Sequence, residues 1–178
     1  MKVLGKAVGV YLVLALLCYV GLFVYFSISL SAFMICTLAG ALYWTFHEYV
    51  AHRFVLHPPH DKLREKEFYK FLHWKHHQDS ENPGDIALPL PISLLIGVIV
   101  FLVFWAILGR LDYTLAMMPT IILGYLSYEW VHFYVHYNNP QSRVGKWYRK
   151  WHFIHHFKND KRCYGVTSPI WDYVFRTN

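Results

Sequence analysis

The chain has 178 residues, room for one compact domain. Hydrophobic residues make up 56% and charged residues only 16%, against about 25% charged in soluble domains. This excludes an ordinary water-soluble protein and a disordered chain, and three scattered cysteines without a CxxC pair exclude a disulfide scaffold. A formal charge of +6 suits either nucleic acid or anionic lipid, and its placement decides between them.

Ala7 to Phe46 contains no formally charged residue. As one helix it would measure about 60 Å, twice a bilayer core of roughly 30 Å. It therefore reads as two crossings, about residues 7–27 and 31–52, joined by a turn in the polar run from Ser27 to Ser31. A cleaved signal peptide would be shorter. A third apolar run, 92–109, follows the helix-unfriendly segment Leu88-Pro89-Leu90-Pro91. A fourth, 113–137, is separated from it only by Arg110-Leu111-Asp112, so these two form a hairpin. Sixteen of the seventeen Lys and Arg fall on one side of this arrangement, and only Arg110 on the other. By the positive-inside tendency that side is cytoplasmic. The expected fold is an all-α integral membrane protein, a single domain over 1–178. It has four transmembrane helices in two hairpins and a cytoplasmic histidine-rich helical cap made from 53–91 and 138–178. Such a multi-pass protein, with both termini cytoplasmic, belongs in the endoplasmic reticulum or a bacterial inner membrane. No soluble module carries a basic stripe, so no nucleic-acid partner is expected.

All twelve histidines lie on the cytoplasmic side of this topology. Adding 79 carries His57, His73, His76 and His77 onto His136, His152, His155 and His156, and adding 80 carries His52 onto His132. Each half thus reads as two membrane helices, a histidine pair, a step of sixteen positions and HxxHH, the mark of a parallel internal repeat. On an α-helix His132 and His136 stand about 40° apart, and each HxxHH set spans an arc of about 100°. His52 and His57 stand about 140° apart on a straight helix. Either the helix ends between them, as Pro58-Pro59 would favour, or they serve different ions. A single interfacial histidine is ordinarily a hydrogen-bonded surface residue, and a basic tail ordinarily faces solvent or headgroups. Ten histidines in four clusters, repeated in register on one side, point instead to metal. Imidazole suits iron, zinc, copper or nickel, and ten donors suit two ions. His47, about 140° from His52, and His60, in a loop, are left outside the set. Glu48, one turn before His52, and Glu129, three residues before His132, are candidates to orient metal-bound rings; Glu129 is also a candidate ligand, and pairing with Arg53 is the alternative for Glu48.

With EYVAHRFVLH from Glu48, HWKHH, YEWVHFYVH, YRKWHFIHHFKN and the ending GVTSPIWDYVFRT, the chain resembles the fatty acid hydroxylase superfamily of membrane histidine-box oxygenases over about 40–178. Within it, the chain is most similar to the fatty acid 2-hydroxylases. The resemblance implies ten metal ligands: His52, His57, His73, His76, His77, His132, His136, His152, His155 and His156. It implies two iron ions, replaceable by zinc on purification, with O2 as co-substrate. The reaction implied is O2-dependent hydroxylation of a C–H bond in a membrane lipid or fatty-acyl chain, most simply at carbon 2. Glu129 and Asp172, the latter in the Trp-Asp of the ending, match acidic positions near the reaction centre. No His-Pro-Gly-Gly haem signature occurs in these residues, so the resemblance implies electrons from a separate protein, a cytochrome b5 or a ferredoxin with its reductase. Desaturation, or action on a sterol, carotenoid or other membrane lipid, is the rival within the class. A bis-histidine haem electron carrier would leave most of these histidines unused, and a metal transporter would need polar groups at mid-membrane.

Overall fold

The computed structural model describes residues 2–58 and 60–178. Pro59, and the side chains of residues 2–6 (Lys2 and Lys6 of the basic collar among them) and of Asp61, lie outside the described parts. Among the described residues every regular element is helical. Helix α1 is Lys2–Tyr25 and α2 is Leu30–Val50, which runs on as a π-helical stretch, Ala51–Leu56. Short helices follow: α3 (Asp61–Arg64), α4 (Glu67–Tyr69), a second π-helical stretch (Lys70–Trp74) and α5 (Lys75–Gln78). The remainder is α6 (Leu90–Leu108), α7 (Leu111–Tyr137), α8 (Arg143–Phe157) and α9 (Ile170–Val174).

Among the described residues, three stretches are long and apolar enough to cross a bilayer: Ala7–Tyr25, Leu30–Leu56 and Leu90–Leu108. Helix α7 has the length, 27 residues, but interrupts its apolar character with Asp112, Glu129, His132 and His136. The breaks between helices have local causes. Ser29 Oγ accepts the Ala32 N–H (3.2 Å) at the start of α2. Helix α6 begins two residues before the expected Ile92, because Pro89 caps it and Pro91 sits in its first turn, where a missing N–H costs nothing. Gly109, at φ +60°, ends α6 in the left-handed conformation that glycine accepts without strain.

The chain divides into two compact units, residues 1–44 with 89–126, and residues 45–88 with 127–178. In the first, four helices pack through aromatic and small residues. Tyr11 of α1 meets Tyr125 of α7 edge-on at 5.0 Å, and its hydroxyl donates to Ser93 Oγ of α6 at 2.5 Å. Tyr43 of α2 meets Phe104 of α6 at 4.7 Å. Gly40 lets α2 approach the backbone of α7, since a Cβ there would stand 2.8 Å from the Met117 carbonyl oxygen. Gly124 faces the indole of Trp44 in the same way. The second unit takes in more than the expected cap, because the ends of α2 and α7 carry histidines and Glu48 that engage the C-terminal segment.

A methyl group at Gly124 would stand 2.3 Å from Cγ of Trp44, whereas one at Gly97 meets nothing within 4 Å. Gly124→Ala should therefore destabilise the detergent-solubilised protein by about 1–3 kcal/mol, read as a lower thermal midpoint. Gly97→Ala, which gains helix propensity, should leave the midpoint unchanged or raise it.

Candidate metal centre

The histidine pair at the end of α2 is shaped by a single extra residue. His57 N–H donates to the His52 carbonyl (3.0 Å), an i→i+5 bond that widens the turn. Residues five apart are thereby brought onto one side, and the two rings stand 5.0 Å apart. The equivalent pair on α7, His132 and His136, is four apart on an ordinary α-helix, with rings 5.2 Å apart. The π turn absorbs the residue that changes the repeat offset from 80 to 79. The helix does end between His52 and His57, at Leu56 just before Pro58-Pro59, and the two rings join one group. A second i→i+5 bond, from Lys75 N–H to the Lys70 carbonyl, lies just before His76 and His77.

Ten histidines gather into two groups of five. The first is His52, His57, His73, His77 and His155; the second is His76, His132, His136, His152 and His156. Within each group the five nitrogens lie within 4.8 Å of one another. The groups do not follow the repeats. Each half supplies four rings to one group, and the middle histidine of its HxxHH box, His76 or His155, crosses to the other. On a helix the i+3 and i+4 positions stand about 100° apart around the axis, which leaves the i+3 ring free to join the neighbouring group. The groups adjoin, with His77 of the first stacked on His156 of the second at 4.0 Å and 2° between planes.

The contacts suit metal and suit little else. In the first group Nε2 of His73 stands 3.3 Å from that of His52 and 3.1 Å from that of His77, and Nε2 of His155 stands 3.0 Å from that of His57. In the second, Nε2 of His136 lies 3.1 Å from that of His76 and 2.9 Å from that of His152. Two nitrogens each about 2.1 Å from one ion, at tetrahedral or octahedral angles, stand about 3.0–3.4 Å apart. Both nitrogens of His132 and of His156 are buried without a hydrogen-bond partner among the described residues, an arrangement that costs free energy unless a cation takes the lone pairs. Seven of the ten rings are at most 2% exposed. Burial, and after it the neighbouring imidazoles, holds His57, His73, His77 and His152 well below the usual histidine range. Burial also lowers His76 to about 3 and His155 to about 4. The rings are accordingly neutral, the form that binds metal.

The C-terminal segment completes the unit. His52 donates from Nδ1 to the Tyr164 carbonyl (2.5 Å) and His155 from Nδ1 to the Arg162 carbonyl (2.7 Å). A carbonyl only accepts, so both rings carry their proton on Nδ1 and present Nε2 to the group. Asp172 is buried and belongs to neither group; it accepts from Tyr164 N–H (2.9 Å), Gly165 N–H (2.7 Å) and Thr177 Oγ1 (2.7 Å). Glu48 does not pair with Arg53. It accepts from Val166 N–H, Thr167 N–H and Thr167 Oγ1, while Arg53 donates to Tyr49 Oη. Glu129 is buried and also in neither group. His47 and His60 stand outside both groups, His60 exposed. The carbonyls of Arg162 and Tyr164 were not legible as site atoms, since any residue type supplies a carbonyl.

Because the buried rings titrate below the ordinary value of about 6.5, the unfolded chain takes up protons first as pH falls. Stability is then complete above about pH 6.5 and is lost below it, by up to about 1.4 kcal/mol per pH unit for each such histidine. Thermal melts of metal-free protein should show a midpoint that is flat from pH 8 to 7 and falls steeply from 6 to 5.

The family model described as "Fatty acid hydroxylase" matches residues 37–177. The dihydroceramide fatty acyl 2-hydroxylase FAH1 of Arabidopsis thaliana is 31% identical over 166 residues, covering 86% of this chain and 68% of that protein. The fatty acid 2-hydroxylase of Mus musculus is 31% identical over 151 residues, covering 83% of this chain but only 40% of its own length. The plant relative FAH2 is likewise covered over 58% of its length, so this chain spans about half of several proteins it matches. A solved structure described as full-length scs7p, with only its hydroxylase domain visible, superposes with a TM-score of 0.84 at 26% identity, over 96% of this chain and 64% of that one. A family match across the histidine boxes and the ending, on the same helical fold, places this chain in the fatty acid hydroxylase family.

Proposed function

We propose that the chain is a dimetal hydroxylase of lipid acyl chains, acting at carbon 2 of a fatty acyl group such as that of a ceramide-type lipid. The single observation that carries this reading is the pair of adjoining five-imidazole groups in a chain of this family. The overall reaction balances as R–H plus O2, two electrons and two protons giving R–OH and water. The ten histidines are the proposed ligands, one ion to each group, and iron is the metal that suits both the donor set and the chemistry. Bound iron would supply the activation of O2 that oxidises an unactivated C–H bond.

The chain's own part is to hold, orient and exclude. Neutral buried imidazoles present Nε2 without first losing a proton. The Tyr164 and Arg162 carbonyls fix the tautomers of His52 and His155. Trp74 stacks on His77 (5.6 Å, 14°) and shields that ring. Glu129, buried three residues before His132, is proposed to act beside the second group, and Asp172 through the segment it binds. Helix α7 is proposed as a fourth crossing that tolerates its polar residues because they face protein. The histidine-bearing segments then share the cytoplasmic side with sixteen of seventeen basic residues, where a redox protein of the cytochrome b5 or ferredoxin kind can deliver electrons.

The test is expression with an electron donor, followed by mass spectrometry of the host's lipids, against His155→Ala. The active chain should add one oxygen to acyl chains, and the variant should fall to background. A loss of two hydrogens would assign desaturation instead. Metal analysis should find one ion per five-histidine group.

A further inference from the structure

The two imidazole groups match in number but not in what holds their outer nitrogens. In the first, His52 and His155 are anchored through Nδ1 to the Tyr164 and Arg162 carbonyls. In the second, Nδ1 of His76, His132, His152 and His156 is buried with no hydrogen-bond partner among the described residues, whereas in the first this holds for His57.

Both anchoring carbonyls trace back to Asp172. A peptide group is rigid and planar, with its C=O and the next residue's N–H pointing opposite ways. The Tyr164 carbonyl shares its plane with Gly165 N–H, and that N–H is held by Asp172 Oδ2 at 2.7 Å. The Arg162 carbonyl shares its plane with Cys163 N–H, which donates to the Thr177 carbonyl at 2.7 Å. Thr177 is in turn bound to Asp172 twice, Oγ1 to Oδ1 at 2.7 Å and N–H to the Asp172 carbonyl at 2.8 Å. Glu48 extends the grip by accepting the next two amides, so four successive N–H groups, from Tyr164 to Thr167, end on two buried carboxylates. With every amide turned one way, the Tyr164 carbonyl has one direction left, toward His52.

We infer that Asp172, seconded by Glu48, is a positioning residue for the first group alone, and that the first group therefore binds metal more tightly than the second. The inference rests on the dimetal reading above. An imidazole whose Nδ1–H is held cannot rotate or change tautomer, and its Nε2 is the better donor. Loss of such an orienting contact typically costs about 10–100-fold in metal affinity. The second group has no equivalent contact on four of its five rings.

The test uses the full chain in detergent with zinc alone as the probe, and metal content is read after dialysis against chelators of graded strength. The unaltered chain should retain one zinc ion per group and release them in two steps. In Asp172→Asn, an amide nitrogen faces backbone N–H donors, and one ion should bind about 10–100-fold more weakly while the other is unmoved. Combining Asp172→Asn with His132→Ala, which disables the second group, should abolish retention. Combining it with His52→Ala should lose no more than His52→Ala alone. Glu48→Gln should retain both ions, because one amide oxygen still accepts the two N–H groups, whereas Glu48→Leu should resemble Asp172→Asn. Thr177→Val removes only one hydroxyl and should give the same selective loss in milder form, so it carries the test if circular dichroism shows Asp172→Asn unfolded. Equal weakening of both ions, or selective loss from the second group, overturns the inference and leaves the dimetal reading standing. An unaltered chain that holds fewer ions than groups overturns the dimetal reading itself.

Discussion

Ten nitrogen lone pairs, buried and pointed at one another, are the constraint under which the rest of this structure makes sense. Neutral imidazoles at 2.9–3.3 Å between their Nε2 atoms gain little from each other. Burial meanwhile denies them the proton that would relieve the crowding, as the lowered values of His76 and His155 show. Only a shared cation turns such a cluster from a cost into a gain. The π-helical turns, the crossed histidines and the carboxylate-bound C-terminal segment each serve to hold rings where they would not otherwise stay.

The internal repeat shows how little backbone change this requires. One inserted residue separates the pair His52 and His57 from its counterpart His132 and His136, and a widened helical turn takes it up with an i→i+5 bond. An α-helical turn at the same place would aim His57 away from His52. The insertion is therefore tolerated because the helix changes type there.

Much of this was legible in the residues. The three long apolar helices follow from uncharged runs and their Pro and Gly stops, and the histidine set from a doubled spacing that ordinary composition does not produce. Three things were not. Which histidine joins which group depends on helix orientation in space, and HxxHH spacing alone does not say that its middle member crosses over. The π turn has no residue signature, so His52 and His57 looked mismatched. The role of the ending lay in its backbone: Asp172 stood out as an acidic residue, but the carbonyls of Arg162 and Tyr164 through which it acts belong to no side chain. For Glu48, neither a ring of the group nor Arg53 is the partner; it reaches amides more than a hundred positions away.

The crossing of His76 and His155 has a bearing on how the protein matures. During synthesis the first half emerges complete with four rings of its group, yet the fifth is His155, in the second half. Neither cluster can be filled out by its own half. A premature stop between the halves would leave two incomplete pockets rather than one intact and one missing, so completing either group is tied to synthesis reaching the second half.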